Sequence, residues 1–128
     1  MSGARRWTVM AMGLALAGAA HAQSPQPTPK AYVIAEITVT DHEAYKAYVA
    51  KATASAAKYG GVYLARGGQT LPAEGAPPSP RVVIMEFPSL AAARTFQWSP
   101  EEQEALTLRR RAATGRQFIV EGVTPPTP

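Results

Sequence analysis

Two stretches of this 128-residue sequence are apolar at consecutive positions, and they restrict the possible folds more than any other feature does. They cover 31–39 (AYVIAEITV) and 81–87 (RVVIMEF), and their content of β-branched residues predicts two strands. A sheet with one face in water alternates apolar and polar side chains along each strand. Strands with apolar residues on both faces therefore need a cover on each side of the sheet.

A helix is predicted directly after the first strand. Thr40 followed by Glu43 forms a capping box, the pattern of a helix start. Apolar residues then recur at steps of three and four up to Tyr59, which is typical of a helix with one buried stripe. Glycine readily adopts the left-handed conformation that ends helices, so this helix is predicted to stop at 60–61.

The second half of the chain repeats this order, with its helix in two pieces. Ser89 is predicted to cap a short helix, and Ser99 with Pro100 begins another that continues to about residue 113. Gly115 is predicted to stop that helix. The remaining strands are predicted over 62–66 and 117–123, and a proline-rich loop over 67–80 joins the two middle strands.

The resulting order, βαββαβ, is typical of an α+β, ferredoxin-like sandwich, in which helices cover one face of a four-stranded antiparallel sheet. The other face stays uncovered, and a second copy of the same sheet is its simplest cover. A domain of this size also buries only about 60–65% of its unfolded surface on its own. We therefore expect a homodimer.

The first 22 residues have the three parts of a secretory signal peptide. Arg5 and Arg6 are the basic part, 9–20 is the apolar part, and 20–22 (AHA) is a cleavage signal. An uncleaved anchor is the alternative, but the apolar run is short for a membrane span. We expect export to a bacterial periplasm or the medium, by the general secretory or the twin-arginine route, and no stable membrane insertion after cleavage. The expected segments are a signal peptide (1–22), a Pro-rich linker (23–29), the folded domain (30–123) and a Pro-rich tail (124–128).

The composition excludes several kinds of site. The chain has no cysteine, which excludes disulfides, thiolate metal sites, iron–sulfur clusters and cysteine nucleophiles. Cleavage would lower the formal net charge from +4 to +2 and leave His42, expected to face solvent, as the one histidine. Neither a zinc site nor a haem ligand is then predicted, and we expect no metal and no cofactor. The basic run 109–111 lies where cations offset a helix dipole, so we expect no nucleic-acid partner.

Several motifs follow one another in a family-specific order: 40–45 (TDHEAY), 58–61 (KYGG), 64–68 (LARGG), 81–89 (RVVIMEFPS), 99–101 (SPE) and 120–123 (VEGV). Over 30–123 the chain resembles the family called domain of unknown function 1330, within the dimeric α+β barrel superfamily. The resemblance implies a homodimer whose two sheets pack into a barrel with helices outside. It implies no reaction, although wider relatives include cofactor-free monooxygenases, isomerases and haem enzymes. The family usually has Pro where His42 stands and Tyr where Glu102 stands.

Two glutamates interrupt the apolar strands. Glu36 shares a strand face with Ile34, and Glu86 shares one with Ile84. We expect their strands to be the two central, parallel strands, with Arg66 at the end of the neighbouring strand. Desolvation raises the pKa of a buried carboxyl, and such a group can act as a general acid or base. These three residues are therefore candidate catalytic residues in one polar cluster. Alternatively, the carboxylates form structural ion pairs or face solvent.

Aromatic residues are the candidates for ligand binding. A small-molecule pocket between sheet and helices would use Tyr45, Tyr48, Tyr59 and Trp98. Alternatively, tyrosines at helical spacing pack in the core. Two functions stay open: a non-catalytic homodimer that binds a small organic ligand, and, by the resemblance, a cofactor-free monooxygenase- or isomerase-like enzyme that uses Glu36 and Glu86 as acid and base.

Overall fold

The computed structural model describes residues 26–128 together with Gly3, Ala4, Gly13 and Gly18. The predicted signal peptide, apart from those four residues, and the first part of the linker lie outside the described residues. In the part of the chain that is described, no helix combines the length and the apolar character needed to cross a bilayer.

Seven elements follow one another along the domain. They are β1 (Ala31–Val39), α1 (His42–Lys58), β2 (Val62–Arg66), β3 (Arg81–Phe87), α2 (Leu90–Gln97), α3 (Pro100–Ala112) and β4 (Ala113–Glu121). The predicted βαββαβ order, with its second helix in two pieces, is confirmed.

The four strands form one sheet in the order β2-β3-β1-β4, and every neighbouring pair is antiparallel. This is the ferredoxin-like arrangement that the sequence predicts. The expectation that β1 and β3 are parallel is wrong. The helical crossover through α1 brings β2 back parallel to β1, and β3 returns from β2 through a loop. β3 therefore lies between β1 and β2 and runs antiparallel to both.

One face of the sheet packs against the helices. Alternate residues of β1, among them Val33 and Ile37, are fully buried on this face. The rings of Phe87 from β3 and Phe96 from α2 lie 4.8 Å apart at its centre. These contacts form the hydrophobic core between the sheet and the three helices.

The opposite face is uncovered, and we call it the open face. Its exposed side chains include Val62 and Leu64 at 56% and 54%, and Phe118 and Val120 at 43% and 44%. The register places Ile34 of β1 beside Phe118. A continuous apolar area of this kind is unusual on a protein that stays monomeric. The prediction that the strands are apolar on both faces is confirmed.

Two helix ends differ from prediction. Asp41, not Thr40, caps α1, and its side chain accepts a hydrogen bond of 3.0 Å from the amide of Ala44. The backbone amides of Thr40 and Asp41 both donate hydrogen bonds to the carbonyl of Ala112, at 2.8 and 3.0 Å. That contact satisfies the last carbonyl of α3 and joins the start of one helix to the end of another.

Gly115 does not stop α3. The helix ends at Ala112, β4 begins at Ala113, and Gly115 lies inside β4 opposite Ile37. A Cβ atom at this position would overlap the carbonyl oxygen of Glu36. The glycine is needed for the close approach of two strands.

Candidate functional site

A pocket lies between the sheet and α1, with three tyrosines in its wall. Tyr45 and Tyr48 are three residues apart on α1 and point to the same side, and Tyr63 reaches in from β2. Small and apolar residues complete the wall: Ala35, Val49, Ala52, Val83 and Met85. The enclosed space is about 10 Å³, which holds a single water molecule.

Each pocket tyrosine has an arginine over its ring. The guanidinium carbon of Arg66 lies 4.1 Å from the ring centroid of Tyr63, and that of Arg81 lies 5.7 Å from the centroid of Tyr45. The third pair joins Arg109 to Tyr48, at 5.6 Å. Contacts at these distances are cation–π interactions, so the pocket is electropositive as well as aromatic.

A chain of side-chain hydrogen bonds continues from the third pair. Arg109 of α3 donates to the side-chain carbonyl of Gln117 on β4 at 2.7 Å, and Gln117 donates to Gln97 at 2.5 Å. Gln117 also lines the pocket. An outer groove of about 450 Å³ exposes the other side of these three residues. These three hydrogen-bonded side chains therefore separate the pocket from solvent.

Behind the pocket lies a buried carboxyl group. Glu102 of α3 is 1% exposed, and burial raises its pKa to about 7, although Ser55, Arg109 and Gln117 favour the ionised form. Ser55 and Gln117 are its polar neighbours, although Glu102 Oε2 and the buried Ser55 Oγ meet no partner with full hydrogen-bond geometry among the described residues. A carboxyl with this pKa can accept or donate a proton near neutral pH.

Burial keeps the hydroxyl groups of Tyr48 and Tyr63 neutral. Burial raises the pKa of Tyr48 to about 12, although the nearby Arg109 opposes the rise. Burial also raises the pKa of Tyr63, and negative charge on Glu102 contributes to the rise for both tyrosines. Both side chains therefore stay protonated at neutral pH and can donate hydrogen bonds to a ligand.

The predicted cluster of Glu36, Glu86 and Arg66 does not form in the protomer. The register pairs Glu36 with Val82 and Glu86 with Tyr32, which separates the two glutamates by about 13 Å along the sheet. Both glutamates lie on the open face, whereas Arg66 lies on the helix side and lines the pocket. The antiparallel register and the alternation of faces separate the three residues.

Each of the two glutamates forms an ion pair instead. Glu36 binds Arg116 at 2.5 Å and accepts a hydrogen bond of 3.3 Å from the amide of Ser79. Glu86 binds Lys30 at 2.8 Å. The hydrogen bond from Arg116 lowers the pKa of Glu36, so the expected rise is wrong for this residue. The alternative of structural ion pairs describes both glutamates.

The predicted aromatic residues divide into two groups. Tyr45 and Tyr48 line the pocket. Tyr59 lies outside it, where its hydroxyl donates to Glu101 at 2.8 Å. Trp98 follows α2 and is 66% exposed, away from the pocket wall.

The buried position of Glu102 was not predicted from the sequence. Ser99 does cap α3, and its hydroxyl accepts a hydrogen bond of 3.1 Å from the amide of Glu102, but the side chain of Glu102 turns into the core. The spacing of residues along α3 did indicate a buried position for Glu102. Glu102 stands three and four residues before the buried Ala105 and Leu106, so it occupies the buried stripe of the helix.

His42 faces solvent, as predicted. Among the described residues, no three histidine, aspartate or glutamate side chains form a group able to hold a metal ion.

Comparison with known proteins gives a family and a fold. The family model for a domain of unknown function, DUF1330, matches residues 30–123. A protein of unknown function from Rhodopseudomonas palustris is 22% identical, with a TM-score of 0.58 over 81% of this chain and 88% of that chain. SnoaB, a cofactor-independent oxygenase from Streptomyces nogalater, is 17% identical, with a TM-score of 0.52 over 78% of this chain and 97% of that chain. Among curated proteins, none matches this chain.

The buried carboxyl predicts a pH dependence of stability. The pKa of Glu102 is about 7 in the folded protein against an ordinary 4.5, so the folded protein keeps this proton to higher pH than the unfolded chain does. Stability should therefore fall between about pH 4.5 and pH 7, by on the order of 2–3 kcal/mol. Glu102→Gln should remove this loss, and urea unfolding at each pH measures it.

The matched control is Glu104→Gln, because Glu104 lies on the same helix with an exposed side chain. The free energy of unfolding of the control should run parallel to that of the wild type over this pH range, offset only by the small contribution of its exposed ion pair with Lys51. If the curve for Glu102→Gln also runs parallel to the wild-type curve, Glu102 does not titrate in this range.

Proposed function

The chain belongs to the DUF1330 family, and from its open face and its pocket we propose that it is a homodimeric protein that binds a small organic ligand between sheet and helices. The observation that carries the ligand proposal is the tyrosine-lined pocket together with the buried Nε of Arg81, a residue of its wall, which has no hydrogen-bond partner among the described residues. Buried polar groups in folded proteins are almost always hydrogen-bonded, and an unsatisfied group is costly. A bound molecule with an acceptor atom would supply the missing partner.

The open face supports the homodimer. Its apolar centre needs a cover, and the charged groups on it form the two ion pairs Glu36–Arg116 and Glu86–Lys30. A second copy would therefore meet an apolar area flanked by paired charges of both signs. In a two-fold dimer the same patch serves both partners, and paired charges of both signs avoid the like-charge contacts that a patch of one sign would bring together.

A second candidate function is that of a cofactor-free enzyme. The observation that favours it is Glu102, whose pKa of about 7 suits a general acid or base at neutral pH. In this candidate function Glu102, behind the pocket, takes the acid–base role that the sequence predicts for Glu36 and Glu86. SnoaB, whose fold is similar, is a cofactor-independent oxygenase.

We also propose that the protein is exported to a bacterial periplasm or the medium, on the basis of the signal peptide that its sequence predicts. The expected product is a mature chain that begins at Gln23, and intact-mass spectrometry of the exported protein measures it. A full-length chain that stays inside the cell would contradict export.

The homodimer predicts that a charge on the open face causes dissociation. Phe118→Lys places an ammonium group opposite Ile34, where a second copy would have to desolvate it. We expect the wild type to sediment as a dimer at micromolar concentration and the variant to sediment as a monomer. Ala47→Lys, on the exposed side of α1, is the control and should stay dimeric. A monomeric wild type would contradict the proposal.

Ligand binding predicts that a bulky residue in the wall closes the pocket. In a thermal-shift experiment with phenol, benzamide and benzoate as probes, we expect at least one probe to raise the wild-type Tm by several degrees at saturation. Ala52→Leu should abolish that rise, because Ala52 lines the pocket. Ala50→Leu, on the exposed side of α1, should keep it. A probe that stabilises all three proteins equally would bind elsewhere.

A further inference from the structure

Three arginines surround the pocket, and the nearest carboxyl group, Glu102, lies behind the pocket and not in its wall. Arg66 and Arg81 line the pocket, and Arg109 lies over Tyr48 in its wall. Among the described residues, none of these three arginines forms an ion pair, and Arg116 is the one arginine that does. No carboxylate is part of the pocket wall.

The two lining guanidinium groups retain unused hydrogen-bonding capacity. Arg66 donates one hydrogen bond of 2.6 Å, to the hydroxyl of Thr53. Arg81 has a buried Nε atom with no partner among the described residues. A guanidinium group carries five N–H donors in a planar fork. Most of these donors are therefore available to an acceptor that enters the pocket.

Gly67 leaves room for the second of these groups. It has a φ of +72°, in the left-handed region that favours glycine, and a Cβ atom there would overlap the end of the Arg81 side chain. With glycine at this position the guanidinium group lies at the pocket wall.

We propose that the ligand is an organic carboxylate with a planar, apolar body, whose carboxylate group is bound by Arg66 and Arg81; this rests on the proposed ligand-binding function. The planar fork of arginine matches the two oxygens of a carboxylate. The aromatic rings of Tyr45 and Tyr63 and the aliphatic part of the wall suit a flat apolar body. Neutral tyrosine hydroxyl groups can donate further hydrogen bonds to the same anion.

Binding requires a movement of the side chains at the mouth. The enclosed space of about 10 Å³ admits only water, so a ring-sized ligand must displace part of the wall. Arg66 is the movable part, because it is only partly buried and one hydrogen bond and one ring contact hold it. Its guanidinium group exchanges Thr53 and the ring of Tyr63 for the carboxylate.

The test compares benzoate with benzamide on the full protein by isothermal titration calorimetry. The two probes have the same ring and nearly the same shape, but only benzoate is anionic. We expect benzoate to bind at least tenfold more tightly than benzamide. Arg81→Gln and Arg66→Gln should each reduce benzoate affinity at least tenfold and leave benzamide affinity within about twofold. Arg94→Gln, an exposed arginine of α2, is the control and should change neither.

The outcomes separate the two proposals. Equal affinity for benzoate and benzamide, both lost in Ala52→Leu, would overturn the carboxylate inference and leave the ligand pocket intact. No binding of either probe or of phenol would overturn both. Tighter binding of phenyl phosphate than of benzoate would overturn the carboxylate in favour of a phosphate. If Arg81→Gln does not fold, the benzoate-to-benzamide ratio of the wild type and the Arg66→Gln variant decide the question.

Discussion

β1 lies between two strands and contributes to both faces of the sheet, and the rest of the structure depends on this position. It pairs with β3 on one side and with β4 on the other. Its alternate residues fill the core under the helices, while Ile34 and its neighbours lie on the open face. The core, the pocket and the apolar open face are thus three consequences of one strand with apolar residues on both sides.

The pocket shows a balance between stability and chemistry. Glu102 stands on the buried stripe of α3, where an apolar residue would stabilise the core without a desolvation cost. Raising its pKa to about 7 is how the protein tolerates the carboxyl there. The arginines over the tyrosine rings bring further charge to the edge of the core. Departures of this kind from a simple apolar core are typical of functional sites.

Most of the fold could be predicted from the sequence, because local patterns determine it. The bounds of β1, β2 and β3 follow from β-branched runs between turn residues, and the end of α1 follows from glycine at 60–61. The candidate site could be predicted only in part, because it depends on register. Glu36 and Glu86 share a face, as expected, but only strand direction reveals that they lie far apart. The burial of Glu102 was not predicted, because a serine three residues before a glutamate indicates a capping box. The same glutamate also lies on the buried stripe of α3.

The carbonyl of Ala112 accepts hydrogen bonds from the amides of Thr40 and Asp41, so backbone groups more than 70 positions apart satisfy each other. The first helix gains this anchor only after the third helix has been synthesised, and β1 gains its second neighbour only when β4 follows. Long-range contacts of this kind delay folding until nearly the whole chain has left the ribosome. A chain that folds this late stays extended for longer, which is the state that the proposed export through a secretion channel would need.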